Sequence, residues 1–235
     1  MASNRRPLAL IVLALSTALA LASCSLPLPK HPNTTEETSA GTGTSMMDKA
    51  GIKKIKHDGV GRFDLTSTSV PKESVGLAPG VNDVAYLATD INEPVEITLE
   101  LPQDTLTVKT RDFKMSTAAA NSYVDTVTWF EAVDGLVALD AAVAAAHERF
   151  GFAATKLAAW DAKDFMSGGS KGKQSLGMGV KNGTAIYLKV YWKKDSPVQV
   201  LQFSAMIAPG YYDTDVQAEI AQYGRAPIGF KLEDR

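Results

Sequence analysis

The stretch SLGMGVKNGTAIYLKVYWK, residues 175–193, decides the reading of the fold because its central Asn182-Gly183 sets a strand register. Flanked by alternating apolar residues, that dipeptide is a strong hairpin signal, a type I′ turn in which both residues take positive φ. Pairing Lys181 with Thr184 then places Gly179 opposite Ile186, Gly177 opposite Leu188 and Ser175 opposite Val190. The next turn, Lys194-Asp195-Ser196-Pro197, pairs Val190 with Leu201, Leu188 with Phe203 and Ile186 with Ala205. Both turns choose the same inner face. A one-residue slip inverts every side chain, so this agreement predicts a three-stranded meander over about 174–207. Ile186, Leu188, Val190, Leu201 and Phe203 lie inside it, and Gly177 and Gly179 leave room for a helix to approach.

The other face of the meander carries Leu176, Met178, Val180, Tyr187, Lys189, Tyr191, Val200, Gln202, Ser204 and Met206. If other strands cover it, these are core and boundary positions. If it is open, Met178, Tyr187, Lys189 and Tyr191 form a possible ligand-binding face for an amphipathic ligand such as a glycan or lipid headgroup, since uncovered apolar surface marks interaction sites.

Upstream, the hydrophobic period changes to that of a helix. Leu136, Leu139, Val143, Ala146, His147 and Phe150 share one face of a helix over about 135–150, with Asp134 as N-cap, Gly151 as stop and Arg149 near the negative end of the dipole. A shorter helix over about 155–166 turns Leu157, Trp160 and Phe165 inward, and another is expected over Asp213–Tyr223. Strands are expected at Gly61–Thr66, Asp83–Ala88, Val95–Leu101, Thr105–Phe113 and Ser122–Val133, punctuated by Pro71, Pro79-Gly80, Pro94 and Pro102. The predicted fold is α+β, an antiparallel sheet with one or two helices packed on one face.

From Ser25 to about Asp48 the chain is rich in Pro, Ser, Thr and Gly and poor in large apolar groups. Such a segment buries too little surface to offset its ordering entropy. Residues 24–48 therefore read as a tether and 49–235 as one domain, with the basic cluster Lys49, Lys53, Lys54, Lys56 and His57 at the junction, either a solvated run or a contact for anionic headgroups.

Cys24 is the only cysteine. It ends Leu21-Ala22-Ser23-Cys24, after an apolar run that begins near Leu8 and follows Arg5 and Arg6. The arrangement resembles the signal peptide and lipobox of bacterial lipoproteins. The resemblance implies cleavage of residues 1–23, a diacylglyceryl thioether on Cys24, and a place on the extracytoplasmic face of the cell membrane, or on an outer membrane in a cell that has one. The apolar run is shorter than the ~20 residues that span a bilayer. Setting aside Arg5 and Arg6 of the signal leaves 22 lysine plus arginine against 26 aspartate plus glutamate, a balance with no bulk attraction to nucleic acid.

Catalytic motifs are weak. Gly168-Gly169-Ser170-Lys171-Gly172 matches G-x-S-x-G but has a strand after it instead of a helix. Ser170 and Lys173 fit S-x-x-K, interrupted by Gly172, and Ser69 and Lys72 fit it across Pro71. His147 is the one histidine expected inside the fold and has no carboxylate at ligand spacing. Asp213 and Asp215 lack the glycine and glutamate of a calcium loop. No catalytic residue, metal or cofactor is assigned. The expected role is a non-catalytic binding or adaptor module of the cell envelope, with membrane contact through Cys24 and an envelope protein, glycan or lipid as partner. The alternatives are a carrier of lipid or glycolipid, which needs a cavity between helix and sheet, and an envelope hydrolase built from distant residues.

Overall fold

The computed structural model describes residues 43–67, 69–81, 83–90, 93–152, 157, 160–161, 167–208, 214 and 218. The signal segment, Cys24, most of the tether, and nearly all of the helices expected over 155–166 and Asp213–Tyr223 lie outside those residues. The described ones form an α+β fold with two sheets.

The first described element is helix α1, Lys49–Asp58, which holds the basic cluster. Asp48 caps it by accepting Gly51 N–H at 2.7 Å, and Gly59 ends it at φ 73°. Only Ile52 and Ile55 give it an apolar stripe, too thin a period for this helix to be expected from sequence. The fold begins before α1, inside the segment read as tether. Ser45 N–H donates to Arg62 O, Met47 N–H donates to Val75 O, both at 2.6 Å, and the Met47 side chain is buried.

Strands β1 (Val60–Asp64), β3 (Val95–Leu101) and β4 (Asp104–Thr110) make a small sheet in the order β1-β3-β4. Strands β2 (Asp83–Ala88), β5 (Asp112–Thr117), β6 (Thr126–Asp134), β7 (Lys171–Gly179), β8 (Ala185–Lys193) and β9 (Val198–Met206) make a larger one in the order β2-β5-β6-β9-β8-β7. The single antiparallel sheet expected from sequence is thus two, and β1 runs parallel to β3. The strand expected over Thr105–Phe113 breaks at Arg111, where the chain leaves one sheet for the other. Leu106 and Val108 face inward from even positions of β4, Phe113 and Met115 from odd positions of β5. Thr110 pins this corner: its buried hydroxyl lies 2.8 Å from both Asp112 O and Phe130 O and accepts Asp112 N–H at 3.1 Å.

Both the small sheet and helix α2, Gly135–Phe150, cover the same inner face of the larger sheet. Phe63 of β1 stacks on Phe113 of β5 with centroids 5.3 Å apart. Phe150 of α2 packs on Trp129 of β6 and Phe203 of β9 at 6.3 and 5.4 Å, and those two rings stack at 5.3 Å. Leu139, Val143 and Ala146 complete the buried stripe of α2, with Leu157 and Trp160 packed against the same core. Each such large side chain taken from water contributes ~1.5–3 kcal/mol before entropy is counted. Lys72 is also fully buried, its Nζ donating to Val81 O at 3.1 Å and Ala118 O at 2.8 Å.

In the last three strands, Val190, Leu188 and Ile186 of β8 lie opposite Leu201, Phe203 and Ala205 of β9, and Gly179 and Gly177 of β7 opposite Ile186 and Leu188. The expected pairing of Ser175 with Val190 does not occur. A β-bulge between Ser175 and Gly177, with Gly177 at φ 87°, moves Ser175 opposite Lys189 and Gln174 opposite Val190. It also turns Leu176 to the inner side, beside Leu188 and Val143 and away from the face on which sequence placed it. The β7–β8 turn differs as well. Gly183 N–H donates to Val180 O at 3.0 Å, closing a turn over 180–183 in which Asn182 is the third residue and Gly183, at φ 74°, the fourth. Tertiary contacts select it: Lys181 N–H donates to Phe150 O at 2.9 Å, and the Asn182 amide donates to Asp104.

Candidate binding face

With one side of the six-stranded sheet packed, register assigns every residue of the other. One row crosses it as Met178, Tyr187, Ser204, Thr128, Lys114 and Tyr86. The next contains Ser175, Lys189, Gln202 and Phe130, and a third Lys173, Tyr191, Val200 and Ala132. Met178, Tyr187, Lys189 and Tyr191, singled out from sequence, therefore share this face, with Lys189 exposed and the others half-buried. Val180, assigned to the same face, is instead buried in the turn after β7.

Hydrogen bonds link the strands across the face. Tyr191 Oη donates to Gln202 Oε1 at 2.8 Å, Gln202 Nε2 donates to Ser204 Oγ at 3.2 Å, and Ser204 Oγ lies 3.1 Å from Thr128 Oγ1. Each amide or hydroxyl in this ladder keeps further donor or acceptor capacity. At the β2 edge, Tyr86 Oη is bonded to Asp112; that bond, with burial second, pushes the phenol up to about 12.

Charge is segregated on this face. Its outward positions hold Lys114, Lys171, Lys173, Lys189 and Lys193 against Asp112, already bound by Tyr86, and Asp134. Lys171 and Lys193 stand directly opposite each other, an unfavourable pairing of like charges. These lysines make no ion pair among the described residues. Beside Phe130 the face runs into a groove of about 440 Å³. Phe130, Ala132, Val198 and Pro94 line it with apolar surface, Lys109 and Arg111 bring cations from the end of the small sheet, and Asp134 closes one end.

The candidate catalytic groups are not brought together. Ser170 is exposed just before β7, its carbonyl accepting Lys194 N–H at 2.8 Å. His147 lies beside Leu176, further along β7 by six residues, roughly 20 Å at ~3.3 Å each. Lys173 sits on a strand, so S-x-x-K spacing does not place it as one helical turn would, and Lys72 is enclosed by backbone carbonyls. His147 Nδ1 is buried without a hydrogen-bond partner among the described residues, beside a cavity of about 10 Å³ lined by Val143, Phe152, Leu157, Leu176 and Leu188. That is room for about one water, not an acyl chain. Asp213 and Asp215 lie outside the described residues.

No protein-family model matches this chain, and no curated protein or solved structure is detectably similar to it. Its own geometry is therefore what any functional reading rests on. Among the described residues no helix is long and apolar enough to cross a membrane.

Sequence reasoning reached the β8 half of the face and missed Lys114, Thr128, Phe130 and the groove. Those residues join it only because β6 docks beside β9, a pairing of strands more than sixty residues apart for which no local turn sets the register. The alternation of Lys171 and Lys173 with Gly172 and Gln174 was the one local signal of the added lysines.

Proposed function

We propose that this chain is a lipid-anchored, extracytoplasmic binding module of the cell envelope that acts without catalysis. Lipid on Cys24 holds it at the membrane and the tether after Cys24 sets its reach. The folded domain, whose last three strands form a meander with helix α2 packed on one side, presents the other side of its sheet to a ligand. The observation that carries this reading is the register-aligned patch of Met178, Tyr187, Lys189 and Tyr191, at least partly exposed and continuous with a groove. Aromatic and lysine side chains with apolar stems and polar ends suit a ligand of mixed character.

The test pairs two measurements on the full chain from its own host. Intact-mass analysis is expected to find no residues 1–23 and a diacylglyceryl adduct on Cys24; an unmodified thiol on an uncleaved chain rejects the anchor. Photo-crosslinkers introduced at Tyr187 or Val137 report ligand contact in intact cells, Val137 being an exposed position on α2. Adducts at position 187 and not at 137 are expected. Equal yields at both positions reject the face.

A further inference from the structure

We infer that the ligand of this face is a linear acidic oligosaccharide, bound with one anionic sugar at Lys173 and Lys189 and another in the groove beside Lys109 and Arg111. The inference rests on the reading of the outer face as the binding surface and adds the chemical class of the ligand.

Charge comes first. The chain as a whole carries a formal charge of −2, yet the outward positions of this sheet hold five lysines, of which Asp112 and Asp134 can balance at most two. An anion placed among Lys171, Lys173, Lys189 and Lys193 relieves their mutual repulsion. A second cationic wall lies beyond β6, where Lys109 and Arg111 line the groove. The groove lining holds Lys109 and Arg111 against Asp134, and Glu96 stands opposite Lys109 in register without forming an ion pair with it.

Shape and hydrogen bonding choose the class. Between the two cationic ends lie the Tyr191–Gln202–Ser204 ladder and the half-buried Phe130 ring. Strands are ~4.8 Å apart, so ~10 Å separate Lys189 from Phe130, a span that a short linear oligosaccharide covers. Hydroxyl groups of a sugar match the amide and hydroxyl ladder, while the C–H face of a ring packs on Phe130 and Val198. A bilayer surface offers negative charge too, but headgroups in a plane do not enter a groove bounded by Pro94 and Asp134.

The test is titration of the detergent-solubilised full chain, followed by calorimetry. The probes are a tetrasaccharide of uronic acids, the same tetrasaccharide with its carboxylates reduced to alcohols, and mixed micelles containing phosphatidylglycerol or phosphatidylcholine. The acidic sugar is expected to bind at least tenfold more tightly than the reduced one and to weaken as salt rises. Lys189→Glu and Lys109→Glu are each expected to lower its affinity at least fivefold, while Lys53→Glu on α1 leaves it within twofold. Thermal unfolding of each variant checks that the fold is intact.

Equal binding of the two sugars, or a response to phosphatidylglycerol alone that Lys189→Glu abolishes, overturns the acidic glycan and leaves the face standing. Loss with Lys189→Glu but not with Lys109→Glu removes the groove from the site and overturns the two-ended mode. A probe that binds without responding to Lys189→Glu or Tyr191→Ala overturns the face itself. Failure of every probe to bind overturns the acidic-glycan class, and the crosslinking result then decides the face on its own.

Discussion

Gly179 is the point at which helix α2 touches the sheet backbone. A Cβ there would lie 2.3 Å from Phe150 O and 3.0 Å from Phe150 Cβ, and the first neighbour is backbone that cannot swing aside. Gly179→Ala is expected to cost about 1–3 kcal/mol, read as a lower urea midpoint with unchanged slope. Gly43→Ala, which meets nothing within 4 Å, leaves the midpoint in place. Glu131 makes a second residue-level case. Burial raises its carboxyl above the ordinary range, against the opposing hydrogen bond from Trp129 Nε1 and the charge of Arg149. Between the unfolded and the higher folded value the native state holds more protons, so this residue's contribution to stability is greatest on the acid side and is lost as pH rises through that window. Glu131→Gln is expected to flatten the decline, raising the melting temperature relative to the parent at about pH 8 and leaving little difference at about pH 4. A larger benefit at acid pH would reject the assignment.

At the scale of elements, the departures from the sequence reading occur where the side-chain phase shifts. The strand read over Thr105–Phe113 runs from β4 into the first two residues of β5, yet the inward residues of β4 and β5 change from even to odd numbers across Arg111. That parity change is legible in Leu106, Val108, Phe113 and Met115 once a corner is considered. Thr110 holds the corner through its hydroxyl, and Thr110→Val keeps the shape while stranding buried backbone groups. The expected loss is about 1–3 kcal/mol by chemical denaturation, and a variant as stable as the parent would refute the role given to the hydroxyl. The β7 bulge is the second phase shift. It is invisible to a register drawn from Asn182-Gly183, because an extra residue leaves the pairing on the turn side intact and shifts only the pairs on its far side. Helix α1 was missed for a different reason: its apolar stripe is only Ile52 and Ile55, one turn long among lysines, so the segment reads first as a basic cluster.

For the molecule as a whole, the relevant property is the separation of an acidic chain from a basic face. Cys24→Ser is expected to shift the protein from the membrane fraction to the soluble fraction, read by fractionation of the host cells and immunoblotting. A variant that stays in the membrane fraction would show that the lipid on Cys24 is not what holds it there. A face built of lysines on several strands cannot be seen in any one of them. Lys114, Lys173 and Lys189 are far apart along the chain and come to share one face only through the order β5-β6-β9-β8-β7.

By itself the sequence determined the helix over 135–150, most of the strands and the inward residues of β8 and β9, and it alone carries the resemblance at Cys24 from which the anchor is proposed. Each of these depends on neighbours within a few positions, through periodicity, caps and turns. Only the tertiary structure decided that there are two sheets, that β6 lies beside β9, that Leu176 turns inward and that a groove opens beside Phe130. These arise from pairings between distant segments, whose register is set by how rings such as Phe63, Phe113, Trp129 and Phe203 fill a shared interior, and no local pattern along the chain encodes that fit.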